Sequence, residues 1–262
     1  DNLNALPSGI KQIGHCGADP HATCAITNDG KLYTWGYNGH GQLGRGNSTD
    51  YTSQAPLLVA TQSSNTFTMC HSSYYNNYAL QDNGYVWVTG HGGHYINGLG
   101  NNSNINTFTR INLPNVIDIH ANHNIALALT SDSEVYIWGT ESNSSMGGVS
   151  GTTATPTHMT ALDGKNIVKV RTGGYTGHAI SSDGKLYSWG KGSYRAVPDG
   201  TGSNVGTPTE MTWFSRKNIK LVDAQFPYDE AAACLGLDDQ RNMHVWALPD
   251  RGVLGDGPHM PP

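Results

Sequence analysis

Five times the chain repeats one phrase: a polar turn, a short apolar strand, then a small residue, four times directly after Trp. The copies are Asp29-Gly-Lys-Leu-Tyr-Thr-Trp-Gly36, Asn83-Gly-Tyr-Val-Trp-Val-Thr-Gly90, Asp132-Ser-Glu-Val-Tyr-Ile-Trp-Gly139, Asp183-Gly-Lys-Leu-Tyr-Ser-Trp-Gly190 and Gln240-Arg-Asn-Met-His-Val-Trp-Ala247. Their last residues, at 36, 90, 139, 190 and 247, stand 54, 49, 51 and 57 apart. A period near fifty is the mark of a repeat architecture, in which each unit buries its apolar faces only against its neighbours. Function in such a scaffold is sought where the repeats differ, in the loops.

The period runs through all 262 residues with no linker, so one domain is expected. Only 13% of residues are charged and 33 are Gly, the makeup of short strands joined by tight turns under a weakly charged surface. Such surfaces accord with secreted and virion proteins. A net charge of −5 gives no basic footprint for nucleic acid. No run of 18 apolar residues offers a membrane span. The chain opens at Asp1 without a signal peptide, which reads as a processed product or a piece of something larger, fibrous or multidomain.

The fourth repeat shows the unit. Asn166-Ile-Val-Lys-Val-Arg171 alternates apolar and polar residues and reads as strand A. His178–Ser181 is strand B, and Ser182-Asp-Gly184 closes a hairpin onto strand C, Lys185–Trp189. A long polar loop leads to strand D, Pro208–Thr212, whose Pro suits an outer edge. Strand A recurs at Ile10–His15, Thr66–Cys70, Val116–His120 and Leu221–Gln225. Strand D recurs at Ala55–Val59, Phe108–Leu113, Pro156–Ala161 and, shortened, Pro258–Met260. No stretch longer than a turn has helical periodicity except Glu230–Leu235, whose place in the repeat makes it strand B.

Four antiparallel strands per unit with a recurring Trp give an all-β fold: a β-propeller of five four-stranded blades, residues 8–59, 60–113, 114–161, 162–213 and 214–262. The Trp at the end of strand C is expected between blades. In the second repeat Thr89 takes its place and Trp87 stands two residues earlier, on the same strand face.

These residues resemble the regulator of chromosome condensation repeat family. The first repeat carries most of that family's pattern: Asp29 to Gly36, then Gly41-Gln-Leu-Gly-Arg-Gly46, then Pro56-Leu-Leu-Val59. The glycine phrase returns as Asn97-Gly-Leu-Gly100 and Gly252-Val-Leu-Gly-Asp-Gly257, and is lost or degraded in the third and fourth repeats. The best-known members have seven blades against five here, so the chain is a five-bladed ring or part of a larger one. The echo of Pro156-Thr-His-Met159 in Gly257-Pro-His-Met260 favours a complete unit. The resemblance implies chromatin-binding and nucleotide-exchange activities that rely on charged faces and tails, which this chain lacks.

Strand order places the A–B and C–D loops on one face and the short, acidic B–C turns, structural in character, on the other. The first face gathers Tyr37, His40, Tyr74, Tyr75, His91, His94, Tyr95, Tyr175, Tyr194 and Tyr228. Rigid rings among Asn, Ser and Gly suit recognition of a glycan or a protein, although loops are rich in Asn, Ser and Gly for turn geometry alone. His91 and His94 would need His71, His40 or a carboxylate to complete a metal site; no metal or cofactor is expected. Cys16, Cys24, Cys70 and Cys234 form no CxxC pair and read as buried thiols, with a Cys16–Cys24 bridge as the alternative. No nucleophile elbow, phosphate loop or zinc helix occurs, so catalysis is not expected.

The leading expectation is a non-catalytic, extracellular or virion-surface recognition domain, of adhesive or fibre-tip type, binding a cell-surface glycan or protein. The alternatives are an intracellular regulator of the guanine-nucleotide-exchange type and a protein inhibitor of a hydrolase.

Overall fold

The computed structural model describes residues 8–15, 22–49, 56–59, 66–122, 124–192, 202–225 and 234–246. The strands form five antiparallel sheets, taken in sequence order. Blade 1 holds β1 (Ile10–His15), β2 (Ala22–Thr27), β3 (Leu32–Gly36) and β4 (Leu57–Leu58). Blade 2 holds β5 (Phe67–Ser72), β6 (Asn76–Gln81), β7 (Val86–Gly90) and β8 (Ile105–Arg110). Blade 3 holds β9 (Val116–Ala121), β10 (Ile125–Thr130), β11 (Val135–Gly139) and β12 (Thr153–His158). Blade 4 holds β13 (Ile167–Thr172), β14 (Thr176–Ser181), β15 (Leu186–Gly190) and β16 (Val205–Glu210). Blade 5 shows β17 (Leu221–Gln225), β18 (Cys234–Asp238) and β19 (Met243–Trp246). The outer strand expected at Pro258–Met260 lies outside the described residues.

The inner strands β1, β5, β9, β13 and β17 pack each on the next around an axis, which makes the arrangement a propeller. Among the described residues the core falls into four clusters, one at each seam between consecutive blades. Cys24, Ile26, Leu32, Phe67 and Cys70 fill the first seam, and Ile180, Leu186, Phe214, Leu221 and Cys234 the last. The fifth sheet makes no comparable contact with the first among the described residues. Each inner strand slips register at its second residue, as between Ile167 and Lys169. Such a bulge bends the strand and re-aims one side chain. It leaves Ile117, Val168 and Val222 exposed in three successive blades.

Three features depart from expectation. The outer strands begin about three residues early: β12 and β16 hold Pro156 and Pro208 in their interiors rather than at their starts. Met159 and Met211 donate inward to Val135 and Leu186, so by strand alternation the Pro156 and Pro208 nitrogens face outward and the missing N–H costs no ladder bond. The stretch after each strand turns instead into a 3-10 turn at Thr160–Leu162 or a helix, α1, at Thr212–Arg216. Finally, the third repeat keeps its working glycine. Gly147 has φ 60° and lies against Trp189, as Gly98, with φ 67°, lies against Trp138. A Cβ on Gly147 would come 2.8 Å from the Trp189 ring, so the position demands both a left-handed backbone and no side chain.

Candidate functional site

Five of the ten candidate residues converge at the seam between blades 1 and 2. The loop after β3 supplies Tyr37 and His40, the turn before β6 supplies Tyr74 and Tyr75, and the loop after β7 supplies His91. The His40 ring lies 4.5 Å from Tyr75 and 4.7 Å from His91, between ring centres. Tyr75 stands 4.2 Å from Tyr74 and 5.4 Å from His91, and Tyr37 approaches His40 edge-on at 6.1 Å. Edge-to-face contacts at these distances are the favourable arrangement for aromatic rings.

Local sequence explains the convergence. The His91 N–H donates to the Tyr75 carbonyl (3.1 Å), and the Asn76 side-chain amide donates to the His91 carbonyl (2.7 Å). These bonds clamp the two loops of blade 2 together. Gly39 and Gly93 leave room for the rings of Tyr37 and His91, since a Cβ on either would collide with its neighbour's ring. The His40 N–H donates to the side-chain carbonyl of buried Gln42 at 2.9 Å. Burial lowers the His40 pKa, which favours the neutral ring, and Nδ1 accepts from the Asn104 amide at 3.4 Å. Asn104, from the far end of the loop that carries His91, is a site residue that the sequence reasoning missed. The five side chains include no carboxylate, amine or guanidinium and are half-buried. The cluster offers ring faces, phenol hydroxyls, imidazoles and amides.

The other candidates lie elsewhere. His94 and Tyr95 sit on a 3-10 turn with left-handed φ of 61° and 56°, and the Thr140 hydroxyl donates to the His94 carbonyl at 3.0 Å. Tyr175 lies two blades from the cluster, with Lys191 Nζ 5.2 Å from its ring centre. Tyr194 and Tyr228 are outside the described residues. On the opposite face, a groove of about 430 Å³ opens between blades 2 and 3, beside Thr68, Asp82, Asn115 and Ile117.

His71 is not near His91. It projects from an inner strand and stacks on His120 with ring centres 4.0 Å apart. His71 Nε2 donates to the Ala121 carbonyl at 2.7 Å, while His120 Nδ1 accepts from the Thr172 N–H at 3.2 Å. Arg171, at the matching place in blade 4, binds Asp118 and Asp223, each at 3.0 Å. This axial network was also missed. The matching places read Gly14, His71, His120 and Arg171, and only an alignment of the inner strands reveals them. Among the described residues no three His, Cys, Asp or Glu side chains converge as metal ligands. Cys24, Cys70 and Cys234 are buried free thiols, and Cys16 lies outside the described residues.

Comparison with known proteins adds the lineage. Residues 29–80 and 15–42 match models of the regulator of chromosome condensation (RCC1) repeat. The mouse E3 ubiquitin-protein ligase HERC2 is 29% identical over 215 residues, 80% of this chain and 4% of that protein. The mitochondrial RCC1 domain-containing protein RUG3 of Arabidopsis thaliana is 27% identical over 76% of this chain and 46% of its own length. Among solved structures, Prp20p of Saccharomyces cerevisiae, described with its binding properties to Gsp1p and histones, superposes with a TM-score of 0.71. It shares 18% identity over 84% of this chain and 54% of that one. The chain thus spans about half or less of the length of these relatives.

The comparisons overturn the leading expectation. A ubiquitin ligase and a mitochondrial protein are intracellular relatives, so the extracellular or virion-surface setting, the adhesive or fibre-tip role and the glycan or cell-surface partner all fall. The physical reason is plain. Low charge and loops rich in Tyr, His and Asn follow from blade packing and turn chemistry, and carry no mark of compartment.

Proposed function

Because the chain is a propeller of regulator of chromosome condensation repeats, we propose that it is an intracellular regulatory module. It acts by holding a partner protein on the face built from its A–B and C–D loops, and performs no covalent chemistry of its own. The observation that carries this is the contiguous cluster of Tyr37, His40, Tyr74, Tyr75 and His91. Rigid rings that bring large contact area at low entropic cost are what protein-binding hot spots use.

Within that reading the specific activity to test is guanine-nucleotide exchange, which the repeat family implies and to which the Prp20p fold lends support. The experiment follows release of a fluorescent guanine nucleotide from a panel of small GTPases. Accelerated release that Tyr75→Ala and His40→Ala abolish supports exchange through this face. No acceleration by the wild-type protein removes the exchange reading. A partner bound equally well by wild type and by both variants removes the proposed face.

A further inference from the structure

The connections from each outer strand to the next inner strand can be compared along the chain. Residues 111–115 carry no charge, and residues 159–166 carry Asp163 and Lys165. Residues 211–220 carry Arg216, Lys217 and Lys220 and no acid. The last two connections begin alike, as Met159-Thr-Ala-Leu162 and Met211-Thr-Trp-Phe214. Leu162 and Phe214 are both buried in their seams, so the two stretches dock in the same way and differ on their outer side. Trp213 stands where Ala161 does and is 50% exposed. Arg216 stands where Gly164 does, and the longer connection winds into α1 instead of a 3-10 turn.

The neighbouring turn departs in the same sense. Ser131, Ser182 and Asp239, each in the B–C turn of a following blade, donate their N–H to the carbonyls of Asn115, Asn166 and Lys220 at 2.9 Å. In blades 3 and 4 that turn continues as Asp132-Ser133 and Asp183-Gly184, but in blade 5 as Gln240-Arg241. Arg241, with φ 65°, takes the left-handed place of Ser133 and Gly184. Arg216, Lys217, Lys220 and Arg241 are all exposed, and none has an ion pair among the described residues. Lys31, Lys169, Arg171 and Lys185, by contrast, are each held by a carboxylate. Glu210, which accepts from the Ser215 hydroxyl at 2.7 Å, and Asp239 flank the four cations without balancing them. The Trp213 ring is braced edge-on by Phe214 at 5.0 Å, and Lys217 Nζ lies 5.1 Å from its centre.

We propose that this patch, on the face opposite the Tyr and His cluster, docks an acidic, extended segment of a partner protein. Its carboxylates meet the four cations, and one apolar side chain covers Trp213. Charge complementarity selects an anionic occupant in a chain whose net charge is −5. Trp and Arg are the side chains that most often dominate protein interfaces. A nucleic acid fits less well, since its affinity grows with the number of phosphates neutralised and two carboxylates interrupt this short patch. An anionic membrane is disfavoured on the same ground, because its attraction also sums over basic residues. The patch shares no residue with the Tyr and His cluster.

The full chain is applied to an array of peptides in which Glu and Asp alternate with Leu, Phe or Val at every spacing. A matched array carries Gln and Asn in place of the acids. Binding is expected to the acidic peptides alone, and to weaken as salt rises from about 50 to about 200 mM. Trp213→Ala, and Arg216→Gln combined with Lys217→Gln and Lys220→Gln, should each weaken the strongest peptide about tenfold. Lys31→Gln, which removes a cation from another blade, should leave it unchanged. Melting temperatures equal to wild type show that the variants fold; if the triple variant does not, Trp213→Ala decides alone. Failure of every acidic peptide to bind overturns the proposal, as does equal binding by wild type and folded variants. Preference of the wild type for a thymidine oligonucleotide or for phosphatidylserine vesicles over acidic peptides also overturns it, and assigns the patch to nucleic acid or lipid.

Discussion

Trp189 donates its indole N–H to the carbonyl of Ser145 in the preceding blade at 2.9 Å. Trp138 does the same to Ile96, also at 2.9 Å. Each ring thus fills a seam and ties the strand C of one blade to the loop of another, while a left-handed glycine, Gly147 or Gly98, makes the space.

Gly147→Ala should therefore destabilise the fold by about 2 kcal/mol or more, since the new Cβ meets Trp189 in a backbone region that L-residues disfavour. Gly151 is the control. It shares the left-handed backbone, with φ 67°, but has open space around it. Gly151→Ala should cost about 1 kcal/mol. Urea midpoints of the two variants separate packing from backbone strain; equal losses would refute the seam role.

The His71–His120 stack predicts a pH dependence. Burial, outweighing the Ala121 hydrogen bond and helped by the charge of Arg171, depresses the His71 pKa to about 4, and burial holds His120 well below 6.5. Between 6.5 and about 4 the unfolded chain binds a proton that folded His71 refuses, so stability falls as pH falls through that window. His71→Gln should flatten the slope of unfolding free energy against pH there. An imidazole resonance of His71 titrating near 6.5 would contradict the assignment.

Arg171 neutralises two carboxylates, of which Asp118 is nearly buried. Arg171→Met strands that charge and should cost about 3 kcal/mol. Adding Asp118→Asn should restore much of the loss. Burial pushes the Asp223 carboxyl up, but the bond from Lys169 and the charges of Arg171 and Lys169 bring it below 3.8 on balance. Its contribution is present above that value and lost as pH drops through the lowered pKa. A double-mutant cycle measured by denaturant unfolding checks the coupling.

Burial pushes the Cys234 thiol up to about 12, and Cys70, in contact with the Cys24 thiol and buried, is raised further. Thiolate is the reactive form. Cys24, Cys70 and Cys234 should resist iodoacetamide in the native protein at pH 8 and label fully in denaturant. Rapid native labelling of any of the three would show that its seam opens.

The blades were legible because a Trp-and-glycine phrase recurs where the packing is least tolerant. Trp138 and Trp189 have little freedom to vary without emptying a seam. The outer strands were misplaced because Pro156 and Pro208 were read as starts, when an edge strand accepts Pro wherever the N–H would face away from its neighbour. Met146-Gly147-Gly148 was overlooked because the needed glycine no longer sits in the familiar spelling. The rings of Tyr37, His40, Tyr74, Tyr75 and His91 could be placed on one face from strand order alone. Their contact could not, since it depends on Gly39, Gly93 and the clamp from Asn76. The axial network was illegible because it draws on inner strands some fifty positions apart: His71 from blade 2, Asp118 and His120 from blade 3, Arg171 from blade 4 and Asp223 from blade 5.

Pro156 and Pro208 have a last consequence. An outermost strand with free N–H groups is a template on which a strand from another molecule can crystallise into fibrous aggregates. The prolines delete a donor from the middle of β12 and β16. In blade 2, whose β8 has no Pro, the preceding blade's loop covers the strand: Gly46 donates to the Asn106 carbonyl at 2.7 Å and Arg45 bridges to Thr107. A rim guarded in this way turns away the strands of other molecules without a covering layer of helix.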